Sequence, residues 1–370
     1  MKKNLLYNAK ICLFGDATNI HFQRWAQGLF KFKCNIAVIS YQNAKISGIP
    51  LYDISCTYSG KHRKSGLYFK IFRGIKMFFL LRKTLRKIKP DIVHIHYLIN
   101  NPLIFAFWGI KRIVVSPWGK DIIDDTGKES LLKIFYKKTI LHWATEITAT
   151  TKFLAKHVKH YIEREPTVIS FGVDTSIFDG SKKINHDIIV ISFIKHLEEK
   201  YGAKYLIETM PLILKKYKNI KLYIAGRGSQ EMFLRNMVRN LTIESHVEFL
   251  GKLNHTQVTD VLRKTDIFIM PSIYKSEVFG VAAIEASAMK IPVIASDFEG
   301  IREAVVDGVT GILIPPGKTQ AIADACLYLL ENKSTRITMG RMGRQYVREN
   351  FEWNDCIKKM IEVYEKVIVT

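Results

Sequence analysis

The chain has 370 residues, long for a single core and suited to two domains of about 150–200 residues each. Hydrophobic residues make up 48% and charged residues 24%, which excludes disordered and fibrous architectures. Fifty-six Lys and Arg against 34 Asp and Glu leave a net charge of +22, a surface that draws phosphates, nucleic acid or an acidic membrane face.

The first apolar stretch reaches Gly15-Asp16 too soon for a signal-peptide core and reads as a strand. Val- and Ile-rich runs follow at 10–14, 35–40, 91–96, 112–116 and 146–150, separated by helical patterns at 19–30, 67–87, 128–141 and 152–161. That alternation is the grammar of βαβ units and parallel sheets. The polar stretch 179–187 reads as a linker, and the same grammar then restarts with strands at 188–193, 221–225, 247–250, 266–270 and 292–295. Between them, 203–216 places Leu206, Met210, Ile213, Leu214 and Tyr217 on one helical face, with Pro211 predicted to bend or divide the helix. The segment 353–367 is amphipathic, with Ile357, Met360, Ile361 and Tyr364 on one stripe. No run approaches 18 apolar residues, so no membrane span is expected. The five cysteines (Cys12, Cys34, Cys56, Cys326 and Cys356) lack C-x-x-C spacing, arguing against a disulfide framework or zinc site and for a reducing cytoplasm. Two α/β domains are expected, with ligands bound beyond the carboxyl ends of the strands.

The densest chemical signal lies in 276–317. Glu277 and Glu285 have seven residues between them, with a helix of small residues predicted over 280–289. Eight helical positions advance roughly 12 Å, about the distance from the ribose to the hexose of a nucleotide sugar. Each carboxylate can accept two hydroxyl hydrogen bonds, and the amides of Phe279, Gly280 and Val281 at the helix start can donate to a ligand. Gly226-Arg227-Gly228 follows a strand and precedes a helix, so its amides can also approach a nucleotide. His94 and His96 share one strand face, but two histidines without a third ligand do not make a zinc site.

With IHFQRWAQGL, PDIVHIHY, SPWGKDI, ISFGVDTSIF, KHLEEKYGAKYLIE, LYIAGRGSQ and IPVIASDFEGIREAVVDGVTGILIPPG in order along the chain, the sequence resembles glycosyltransferase family 4, retaining enzymes of the GT-B fold. The resemblance implies two Rossmann-like domains whose parallel sheets face across a cleft. These are an acceptor-side domain over 1–173 with the helix of 352–370 packed back on it, a linker at 174–186, and a donor-binding domain over 187–351. It further implies closure over the donor with 171–187 as the hinge, and transfer of a sugar from a nucleotide-sugar donor to an acceptor hydroxyl with retention. Glu277 would then contact the transferred sugar, Glu285 the ribose, and Gly226, Arg227 and Gly228 the base and ribose, while Gly15 lines the cleft. No D-x-D signature occurs, and such enzymes generally work without a bound metal, so no metal or cofactor is expected. Basic side chains must instead neutralise the leaving diphosphate. The family's arginine position is His196 here and its lysine position Tyr201, which assigns the phosphate clamp to Lys195 and Lys200. Where many relatives carry a histidine the chain has Trp118, whose indole cannot shuttle a proton. Trp118 and His21 are assigned to the sugar or acceptor pocket.

Between Ile54 and Pro90 there is no Asp or Glu, while Lys and Arg recur among aromatic residues. The basic region 61–89 reads as a membrane-surface element, fitting a lipid-linked or cell-surface saccharide acceptor and a cytoplasmic enzyme peripheral on the inner face of the cytoplasmic membrane. The alternatives are a non-catalytic nucleotide-sugar-binding homologue, an epimerase of the same fold, or a nucleic-acid binder. The last lacks any recognisable module, so no nucleic-acid partner is expected.

Overall fold

The computed structural model describes residues 6, 8–55, 67–99, 101–125, 127–181, 184 and 187–370. The chain divides into two compact units, one formed by Met1–Ser170 with Asn354–Thr370 and the other by Phe171–Trp353. Cys56, the cations at 61–66, and Lys182, Lys183, Asn185 and His186 of the polar stretch lie outside the described residues.

The first unit is built on seven parallel strands: β1 (Lys10–Gly15), β2 (Asn35–Ser40), β3 (Leu51–Asp53), β4 (Ile92–His96), β5 (Ile113–Ser116), β6 (Glu146–Ala149) and β7 (Thr167–Val168). Their order across the sheet is β3-β2-β1-β4-β5-β6-β7. The central strands are buried along nearly their whole length, as a sheet covered on both faces requires. The helices are α1 (Ile20–Lys31), α2 (Leu67–Ile88), α3 (Leu131–Trp143) and α4 (Lys152–Lys159), with a 3-10 helix at Pro102–Phe107. Side-chain oxygens of Asn19, Ser130 and Thr151 accept from first-turn amides and start α1, α3 and α4.

The second unit carries β8 (Ile189–Ile194), α5 (Ala203–Leu214), β9 (Ile220–Ala225), α6 (Glu231–Asn240), β10 (Val247–Gly251) and α7 (His255–Lys264). It continues with β11 (Ile267–Met270), α8 (Val281–Ala288), β12 (Val293–Ser296), β13 (Gly311–Ile314), α9 (Thr319–Glu331) and α10 (Lys333–Asn350). Its six parallel strands run β10-β9-β8-β11-β12-β13. Pro211 neither divides nor ends α5: the helix runs through it for three further residues, its Leu206, Met210 and Ile213 face fully buried. Packing of that face outweighs the one backbone bond a proline removes. The stretch from Phe171 into the expected linker is built into this unit. Val173, expected in the first domain, bridges to Glu352, and the buried Phe178 of the expected linker is tethered by the Arg344 guanidinium, which donates to its carbonyl.

The last helix, α11 (Trp353–Val369), belongs to the first unit almost entirely. Its fully buried Tyr364 meets Nδ1 of His94 at 2.6 Å, and Arg112 donates to the carbonyls of Val367 and Ile368. Both sheets are therefore parallel, Rossmann-like and flanked by helices, the α/β organisation of GT-B proteins. Among the described residues no helix is long and apolar enough to cross a membrane, and Cys12, Cys34, Cys326 and Cys356 are buried.

Candidate active site

The loops leaving the carboxyl ends of β8, β9 and β11 meet backbone to backbone. The Lys195 amide donates to the Ala225 carbonyl, and the Leu197 amide to that of Arg227. Gly226 has φ +145°, and a Cβ there would stand 1.9 Å from the Lys195 carbonyl oxygen. Only glycine allows this approach. Glu198 accepts from the amide and the hydroxyl of Ser229, bonds that hold its carboxyl below the usual carboxylate range. A 3-10 turn at Glu199–Tyr201 ends in Gly202, whose added Cβ would stand 1.9 Å from the Pro271 carbonyl, while the Ile273 amide donates to the Lys200 carbonyl. The stretch bearing Lys200 is thus pinned to the stretch that leads into Glu277.

This wiring gathers the charged residues. Lys195 Nζ lies 2.8 Å from Glu277 Oε1, with both side chains largely buried. The ring of Tyr201 sits 5.0 Å from the Lys195 ammonium and 4.7 Å from that of Lys200. Burial pushes the Lys195 pKa down, but the charges of Glu277, Tyr201 and Glu285, with the Glu277 hydrogen bond, outweigh it, and the pKa ends above its ordinary value. Lys195 therefore stays a cation facing both acidic residues. His196 is exposed and lies within electrostatic reach of Glu198. Glu285 is half-buried on α8, and Phe279 and Gly280 are buried just before it. Gly280 adopts φ +72°, and a Cβ there would strike Met270 and Ile301. Val281 opens α8, so its amide has no acceptor within the helix. A loop clasped by Arg302, which pairs with Asp297 at 2.6 and 2.9 Å, presses Gly300 onto Val278 from behind. Arg227 is exposed, its guanidinium reaching over Gly251. Lys195 is thus paired with Glu277 and feels the charge of Glu285, the Tyr201 ring lies beside both the Lys195 and Lys200 ammonium groups, and Gly226 and Gly228 pack on the backbone of the Lys195–Leu197 loop.

In the first unit Gly15 ends β1, and a Cβ there would stand 2.6 Å from the Phe22 ring, so the missing side chain lets α1 close on the sheet. Trp118 stands edge-on to His21 (6.4 Å between ring centroids), His96 (5.8 Å) and Tyr97 (6.3 Å). Asp121 organises this group and was not singled out from sequence. Fully buried, it accepts from the amides of Leu98, Trp118 and Gly119. Burial raises its pKa while those amides pull it down, leaving it above the ordinary value. Two residues after a Pro-Trp-Gly turn, an aspartate that caps the turn's amides was a readable signal. His94 and His96 stack with centroids 3.9 Å apart. His94 Nε2 pairs with Ser116 Oγ at 2.6 Å, and Ser116 with Thr148 at 2.5 Å. Among the described residues the ring nitrogens of His96 are buried without a hydrogen-bond partner, and burial lowers its pKa to about 3. No cluster of three metal-ligating side chains occurs among the described residues.

The family model "Glycosyl transferases group 1" matches residues 174–346, the half that holds the lysine–glutamate constellation, and "Glycosyl transferase 4-like" matches 10–151. A phosphatidyl-myo-inositol mannosyltransferase of Mycobacterium leprae is 32% identical over 286 residues, 75% of this chain and 74% of its own. The chain belongs to the group 1 glycosyltransferases. The fold of this glycosyltransferase is shared by the sucrose-phosphate synthase of Thermosynechococcus elongatus (TM-score 0.81, 17% identity, 98% of this chain and 100% of that one). It is likewise shared by Anabaena HepE crystallised with UDP-glucose (TM-score 0.77, 15% identity, 97% and 100%).

Proposed function

We propose that this group 1 glycosyltransferase moves a sugar from a nucleoside-diphosphate sugar to an acceptor hydroxyl with retention, using side chains rather than a metal to stabilise the leaving diphosphate. The observation that carries this reading is the largely buried Lys195–Glu277 contact, with the Tyr201 ring beside the ammonium groups of both Lys195 and Lys200. Lys195 and Lys200 neutralise the phosphates, each charge-assisted contact contributing ~1.5–3 kcal/mol and acting most where charge develops as the glycosidic bond breaks. Glu277 grips the transferred sugar and Glu285 the ribose. The α8 amides and Gly226–Gly228 approach the diphosphate and nucleoside, with Arg227 at the rim. Trp118 and His21 shape an acceptor or sugar pocket, and Gly15 supports it through α1. With an indole at 118, the leaving phosphate itself accepts the acceptor's proton, so no histidine base is required.

The acceptor is proposed to be a lipid-linked or cell-surface saccharide, with the enzyme working in the cytoplasm at an anionic membrane surface; the acid-free stretch between residues 54 and 90 supports this. The resemblance of HepE, crystallised with UDP-glucose, supports a nucleotide-sugar donor without naming its base. A thermal-shift panel of uridine, guanosine and adenosine diphosphate sugars identifies the donor, and product analysis then tests transfer. Glu277→Ala should bind nucleotide yet lose transfer; transfer surviving that substitution overturns the assignment.

A further inference from the structure

The helix α2 has two apolar faces where one is needed. Leu81, Leu85 and Ile88 turn inward and are buried. The opposite stripe, at i, i+3 and i+7, is Phe72, Ile75 and Phe79, between half and two-thirds exposed. A helix that merely covers a sheet carries polar residues there. The 3-10 helix at Pro102–Phe107 packs beside α2, and Ile75, Phe78, Phe79, Pro102, Leu103 and Phe105 line an open groove of about 820 Å³. Arg82 donates to the carbonyls of Ala106 and Trp108, fastening Trp108 next to α2 with 66% of its surface exposed. Its indole leans on Trp143 of α3, whose other end presents Leu131, Leu132 and Phe135 to solvent.

The charges around this surface have one sign along α2. Arg73 and Lys76 flank the apolar stripe, and Lys83, Arg86 and Lys87 continue the exposed surface beyond Phe79. An apolar, tryptophan-bearing surface framed by cations matches the boundary of an anionic bilayer, where aromatic side chains sit at headgroup depth and cations meet lipid phosphate. We infer that the exposed faces of α2, the 3-10 helix and the start of α3 form a bilayer-insertion surface. Phe72, Ile75, Phe79 and Trp108 enter the acyl boundary, and Leu131 and Leu132 enter beside them. This rests on the reading that the acceptor is held at a membrane, and it adds α3 and the 3-10 segment to the basic stretch visible in the sequence.

Flotation with phosphatidylcholine vesicles, with and without 30% phosphatidylglycerol, tests it on the full chain. Anionic vesicles should capture the protein at least tenfold better than neutral ones at low salt, as the summed cation contacts require. Ile75→Ser/Phe79→Ser, and separately Leu131→Ser/Leu132→Ser, should each lower capture severalfold while leaving nucleotide-sugar thermal shifts unchanged. Lipids brominated on their acyl chains should quench a share of the emission that Trp108→Phe removes. Equal capture by both vesicle types, undiminished capture by both double variants, or loss of a stable dimer in those variants overturns the inference, the last by assigning the surface to a second copy of the chain. Absent vesicle binding with intact donor shifts refutes the surface alone, and vesicle binding without any donor shift refutes the proposed chemistry alone.

Discussion

Gly202 offers the sharpest test of how the lysines of the proposed phosphate clamp are positioned. It holds φ +71°, and a methyl group there would stand 1.9 Å from the Pro271 carbonyl oxygen, against a normal limit near 3.0 Å. In Gly202→Ala the stretch carrying Lys200 must separate from the one leading to Glu277 by more than about 1 Å, which breaks the bond from the Ile273 amide to the Lys200 carbonyl. The left-handed backbone costs alanine ~1–2 kcal/mol, and the lost hydrogen bond about 1 more. At about 2–4 °C per kcal/mol for a unit of this size, the melting temperature should fall by roughly 5–10 °C. The chemical penalty is larger, because displacing a catalytic group by about 1 Å can cost on the order of a hundredfold. Steady-state kinetics below the melting range should show kcat reduced by about that factor, with a smaller change in KM. Near-normal kcat in a destabilised variant would refute the claim that this contact sets the spacing of Lys200 and Glu277.

Other substitutions probe separate links. Lys195→Met should reduce kcat at least a hundredfold and leave folding intact by circular dichroism; a loss of under fivefold would remove Lys195 from the phosphate clamp. Glu285→Ala should weaken nucleotide affinity more than Glu277→Ala by titration calorimetry, and the reverse order would exchange their roles. His96, whose pKa burial holds near 3, stays neutral in the fold while the unfolded chain takes up its proton below about pH 6.5. Stability contributed by neutral His96 is therefore present above pH 6.5 and drains away toward pH 3, by an amount on the order of a few kcal/mol. Melting temperatures across pH 4–7 should fall less steeply for His96→Phe, and parallel curves would show that His96 does not control the acid limb.

The strands were legible because fully buried parallel strands are continuous Val/Ile runs, and each run at 10–14, 35–40 and 266–270 corresponds to a strand. The three-residue β3 was not legible, since an edge strand so short owes its form to the neighbouring Val38–Ser40 ladder. The helix α7 could have been read: Asn254 and Gln257 form a reciprocal capping box that is explicit in the residues N-x-x-Q. At the site, the Glu277–Glu285 spacing was local and visible. The sharing of the Tyr201 ring by Lys195 and Lys200 was not, because it depends on a turn pinned by Pro271, some seventy residues away. Asp121 was readable in part, since its bonds to the Trp118 and Gly119 amides are local, whereas its third donor, Leu98, comes from a different loop.

The placement of Tyr364 bears on biosynthesis. His94 lies on a central strand of the first sheet, yet its Nδ1 partner arrives 270 positions later. A ribosome that has released residues 1–170 has produced a sheet whose innermost imidazole still awaits its phenol and whose flank is bare of Val363 and Val367. The amino-terminal half must therefore idle, partly uncovered, until Asn354–Thr370 emerge, and clipping off that short segment should cripple the half of the molecule synthesised first.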